Sequence, residues 1–83
     1  MSDAHTFHLV VSSVGETFFD GPVVSATFPG SEGELTILAG HEPLVTTLKR
    51  GTITARLAGG ETKQFQNENG ILECSGSRVV VLL

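Results

Sequence analysis

Chemistry performed by this chain would have to come from Cys74, from the histidines His5, His8 and His41, or from the neighbouring acids Glu32 and Glu34. Cys74 alternates with Leu72 in an apolar pattern, and no adjacent cation or helix start is present to lower its thiol pKa. Free cysteine is among the most buried residue types, so Cys74 reads as a packing residue. His5 and His8 are three apart in what reads as extended chain, where they point to opposite faces and cannot share an ion. No cysteine or carboxylate cluster completes a zinc set, so no metal is expected. Ser31-Glu32-Gly33-Glu34 only superficially resembles a phosphate cradle. It has no following helix and no lysine, and its two acids would repel phosphate. As an acid–base pair, Glu32 and Glu34 share one solvated face with no apolar pocket to separate their pKa values. Neither a catalytic residue nor a cofactor site is expected. His41-Glu42 before Pro43 is a loop whose side chains are displayed for recognition or simply solvated.

The elements that must position these residues are strands. Glycine and proline recur at Gly15, Gly21-Pro22, Pro29-Gly30, Gly33, Gly40, Pro43, Gly51, Gly59-Gly60, Asn69-Gly70 and Gly76. Turns therefore recur every several residues, leaving little or no room for helix. Between them runs a period of two: Phe7, Leu9, Val11; Val24, Ala26, Phe28; Leu35, Ile37; Leu44, Thr46, Leu48; Ile53, Ala55, Leu57; Leu72, Cys74; Val79, Val81, Leu83. Each series can line one core while Ser25, Thr27, Glu34, Thr36, Thr54 and Arg56 face water. Many short strands at such spacing predict an all-β sandwich or barrel.

One register can be derived in advance. A two-residue Gly59-Gly60 loop would set Ile53, Ala55 and Leu57 opposite Gln66, Gln64 and Thr62, and Arg56 opposite Lys63. That pairing mismatches apolar with polar and places like charges together. A three-residue loop, Ala58-Gly59-Gly60, sets Ile53 opposite Phe65 and Thr54 opposite Gln64, with Gly60 left-handed. The longer loop is the expectation, and with it Phe65 is expected in the core.

Composition narrows the partners. The chain has 83 residues, five basic against nine acidic, for a net charge of −4. Nucleic-acid binding needs clustered lysine and arginine, which are absent. No apolar run approaches the ~18 residues of a membrane-spanning helix. The single cysteine excludes an internal disulfide, and Met1-Ser2-Asp3-Ala4-His5 does not read as a signal peptide. The expectation is one soluble cytosolic domain, residues 1–83.

Pro29-Gly30-Ser31-Glu32-Gly33-Glu34-Leu35, Leu38-Ala39-Gly40-His41-Glu42-Pro43-Leu44, Leu48-Lys49-Arg50-Gly51 and Gly70-Ile71-Leu72-Glu73 form an ordered set over nearly the whole chain. The set resembles the N-terminal domain of the epsilon subunit of F-type ATP synthase. Gly30 to Pro43 is its most specific part. The resemblance implies a flattened β-sandwich of two mostly antiparallel sheets and a non-catalytic place in the central stalk. There the domain would join the gamma subunit to the membrane c ring and couple proton-driven rotation to ATP synthesis. It implies a c-ring contact at Glu32, Gly33 and Glu34, and a gamma contact at His41, Pro43, Thr46 and Ser13. It further implies a peripheral position on the cytoplasmic face of the bacterial inner membrane, with no cofactor and no small-molecule substrate. Two departures stand out: Ala39 replaces the proline common before Gly-His, and the chain stops at Leu83, before the family's helical hairpin. Autoinhibition by that hairpin is therefore not expected. The rival readings are a stand-alone ligand- or carbohydrate-binding β-sandwich and a small hydrolase using His41 with Glu34. The first has no Trp or Tyr for stacking, and the second has no nucleophile or oxyanion site.

Overall fold

Alternating burial along short glycine-bounded segments fixes the architecture. The computed structural model describes residues 5–83, and among these it contains nine strands and no helix. They are β1 Phe7–Ser13, β2 Glu16–Val23, β3 Ser25–Gly30, β4 Gly33–Leu38, β5 Leu44–Leu48, β6 Gly51–Arg56, β7 Thr62–Asn67, β8 Gly70–Ser75 and β9 Arg78–Leu82. Hydrogen bonding runs in the order β2-β1-β9-β8-β5-β3-β6-β7, with β4 paired to β3. Every pair is antiparallel except β1 with β9.

The ladder crosses from β5 to β3 through a single residue pair, Gly30 with Leu48. On one side of that join lie β2, β1, β9, β8 and β5; on the other lie β4, β3, β6 and β7. The two expected sheets are therefore halves of one curled, hydrogen-bonded sheet. Their inner faces share one core. Phe7, Leu9, Val11, Leu72, Cys74, Val79 and Val81 come from one half, and Ala26, Phe28, Ile37, Ile53 and Ala55 from the other. Fully burying a Val, Leu, Ile or Phe contributes about 1.5–3 kcal/mol, so this inner layer holds the halves together. Across the open side, Phe19 of β2 meets Phe65 of β7 with ring centroids 6.0 Å apart.

The β6–β7 hairpin has the expected register, with Ile53 opposite Phe65 and Thr54 opposite Gln64. The Leu57 N–H donates to the Glu61 carbonyl, closing the loop Ala58-Gly59-Gly60, and Gly60 has φ +94°. Two details differ from expectation. Val23, not Val24, enters the core, because β2 carries Val23 inward opposite Phe7 and the chain then bends at Val24 to cross between halves. Phe65 is only half-buried, because β7 is an edge strand and its ring is covered from one side.

Candidate docking surfaces

Glu32, Gly33 and Glu34 occupy the tip of the β3–β4 hairpin, which closes with Gly30 opposite Gly33. A Cβ on Gly30 would stand 2.7 Å from the Gly33 carbonyl oxygen, and Gly33 has φ +133°. Only glycine fits both positions, and the result is a tight turn that displays the two acids outward, both exposed. The tip is tied down from the side. The Ser31 N–H donates to the Thr47 carbonyl at 3.0 Å, and the two hydroxyls lie 2.7 Å apart. The Lys49 N–H donates to the Pro29 carbonyl at 2.9 Å, while Asn67 Nδ2 donates to the Lys49 carbonyl at 3.0 Å. Asn67 is only 6% exposed, so it clamps the neighbouring turn from below. Arg50 and Glu68 pair at 3.7 Å beside it, both well solvated, a contact worth about 0–1 kcal/mol. Neither Glu32 nor Glu34 has an ion-pair partner among the described residues.

The four other residues of the expected site lie apart. His41 and Pro43 are in the β4–β5 loop, at the end of the domain opposite the acidic tip. His41 Nδ1–H donates to the Glu42 carbonyl at 2.8 Å, and its backbone N–H reaches the Leu38 carbonyl. Ser13 ends β1, and the pairings from Gly30 through Leu48, Gly70 and Leu82 to Ser12 put it at the same end as Glu32. Thr46 sits mid-strand on β5, half-buried on the inner side with Leu44 and Leu48. These residues mark two ends of the β5-β8-β9-β1 half and one of its strands, without forming one cluster.

Between them lies a surface that alternation alone did not reveal. On the outer side of that half, Val45, Ile71 and Leu82 are 68%, 49% and 54% exposed. Register brings them together: Ile71 is opposite Leu82, and Val45 is opposite Glu73, two residues along from Ile71. Half-buried Val80 and Val10 continue the strip across β9 and β1. The other outer face is mostly polar, with Thr36, Thr27, Thr54 and Gln64 in one row, Thr27 and Thr36 hydroxyls 3.0 Å apart, and Leu38 exposed at the end of β4. Such a grouping of exposed apolar side chains is a candidate interaction surface. The run Val79 to Leu83 carried its signal, since an unbroken apolar strand is apolar on both sides.

The residues first weighed for chemistry fall elsewhere. Cys74 is buried, and loss of solvent pushes its thiol pKa up. Because the folded thiol holds its proton to higher pH than the unfolded one, this contribution to stability is complete below the ordinary thiol range. It is lost as pH rises through the folded value. The native protein is expected to resist a thiol reagent at pH 8 and to react fully once unfolded in guanidinium; rapid native reaction would place the thiol at the surface. His8 Nε2 pairs with Asp20 across β1 and β2. Among the described residues, no three His, Cys, Asp or Glu side chains gather closely enough to hold an ion, no ligand-sized pocket opens, and no helix is long and apolar enough to cross a membrane.

The described residues form an all-β body with an acidic tip at one end and an apolar strip along one outer face. Its sequence matches the family model for the β-sandwich domain of ATP synthase delta/epsilon chains over residues 6–83, and the chain belongs to that family, whose members are non-catalytic subunits. It is 35% identical over 81 residues to the ATP synthase epsilon chain of Chlorobium limicola, covering 98% of this chain and 92% of that one. A chain in the Euglena gracilis mitochondrial ATP synthase structure containing OSCP, F1 and c-ring superposes with a TM-score of 0.89 at 25% identity, over 99% of this chain and 52% of its own length. The present chain thus spans about half of that neighbour. A chain of the Tetrahymena thermophila mitochondrial central stalk and c-ring shares the fold, with a TM-score of 0.75 at 14% identity over 98% of this chain and 65% of its own.

Proposed function

We propose that this chain is a central-stalk subunit of an F-type ATP synthase that holds the gamma subunit against the c ring. The observation that carries the reading is the separation of two unlike surfaces on one stiff body. The apolar outer face of β5, β8, β9 and β1 receives gamma, with His41 and Pro43 at one rim and Ser13 at the other, while Thr46 lies behind that face on the inner side of β5. The acidic tip at Glu32, Gly33 and Glu34 meets the polar loops of the c ring, where carboxylates can pair with basic side chains on a wet surface. A close-packed core cross-linked by hydrogen-bonded strands resists deformation, so torque applied at one surface appears at the other. The subunit contributes stiffness and attachment, and bond making stays on other chains. Its place is peripheral, on the cytoplasmic face of a bacterial inner membrane, held there through the complex.

Affinity capture from detergent-solubilised membranes tests this: gamma and c subunits should co-purify with the tagged chain. Capture of neither would end the reading. Glu34→Ala should weaken docking to isolated c ring by about 1 kcal/mol without changing the melting temperature, since the side chain is exposed. Unchanged ring affinity would remove Glu34 from that contact.

A further inference from the structure

Glu73 stands in the middle of the apolar outer face. On β8, an inner strand of that face, it is directly opposite Val45 on one side and Val80 on the other, and its own strand carries Ile71 outward two residues away. Direct cross-strand neighbours have Cβ atoms about 4.5–5.5 Å apart, so the exposed carboxylate has apolar side chains on three sides, with Ser75 on the fourth. No side chain of this protein neutralises it among the described residues. The ion pairs present are His8 with Asp20, Arg50 with Glu68 and Lys63 with Glu61. Arg78, diagonal to Glu73 across β8 and β9, makes no ion pair with it.

We propose that the partner surface seated on this face carries one arginine or lysine, surrounded by apolar side chains, that pairs with Glu73. The inference rests on the reading of this face as the gamma-docking surface and adds the chemistry that the partner must present there. Covering Val45, Ile71 and Leu82 removes water from Glu73 as well, and an unpaired carboxylate under an apolar cover costs more than the surrounding contacts return. A cation in the partner removes that cost. Arginine suits the site best, because its planar fork binds a carboxylate through two parallel hydrogen bonds. The pair also fixes alignment: apolar strips can slide along each other with little change in energy, and one buried charge pair selects a single position.

The test uses the purified gamma subunit of the same synthase as the probe, titrated against wild type, Glu73→Gln, Glu73→Lys and Ile71→Asp at low and high salt. Glu73→Gln keeps the shape and removes the charge. It should weaken binding about tenfold at low salt and flatten the salt dependence, and Glu73→Lys should weaken it about a hundredfold, with melting temperatures unchanged. A gamma variant with its facing cation changed to Glu should restore binding of Glu73→Lys. If Ile71→Asp abolishes binding while both Glu73 variants bind within about twofold of wild type, the face is right and the cation is refuted. If Ile71→Asp itself binds as wild type, the docking face is wrong, and this proposal falls with it.

Discussion

Replacing Phe28 with alanine should cost about 3–5 kcal/mol of stability, the range for deleting a buried phenylalanine. Phe28 is fully buried and is the largest such side chain among the described residues. It lies on β3, the strand that pairs with β4, β5 and β6, so it anchors the join between the two halves as well as filling the core. Single domains are stable by only about 5–15 kcal/mol, so this one change should consume a large part of the total. Each kcal/mol moves the melting temperature by roughly 4–8 °C in a domain of this size. Thermal and urea unfolding followed by circular dichroism would measure it. Phe65→Ala, at the half-buried edge, should lose less. A Phe28 variant within 1 kcal/mol of wild type would contradict the placement of the core.

Ile71→Asp should abolish gamma binding while leaving the fold intact. The side chain points outward and is half exposed, so the folded monomer tolerates a carboxylate there. Docking does not, because the substitution buries a second negative charge beside Glu73 and removes an apolar contact at the centre of the face. A buried, uncompensated charge costs about 3–5 kcal/mol, or at least a hundredfold in affinity. Thr54→Asp on the opposite outer face is the control and should bind as wild type. Equal loss from both would mean that net charge, and not the apolar face, governs association.

The strands were legible because alternation is a local signal, and Gly60 together with the polarity of the flanking residues was enough to set one hairpin register. The phase at Val23 and Val24 was not legible. Two adjacent valines fit either face, and the choice depends on where the chain bends between halves. The parallel pairing of β1 with β9 joins segments from opposite ends of the described chain, which local alternation cannot specify. Pro29 to Leu35 showed a tight turn bearing acids, and the structure gives its cause in Gly30 and Gly33. As gamma contacts, His41, Pro43, Thr46 and Ser13 came from the resemblance alone, though the His41 loop also read as a displayed one, and the four lie at separate places. Val45, Ile71 and Leu82 are individually ordinary in the sequence. Only strand register shows that they are neighbours on one surface.

The most direct measurement is to place a photo-crosslinking residue at position 45 in one variant and at position 34 in another, assemble each into the membrane-bound synthase, and identify the attached chains. The account predicts gamma at position 45 and subunit c at position 34. Attachment of gamma at position 34 alone, or no attachment at position 45, would contradict it.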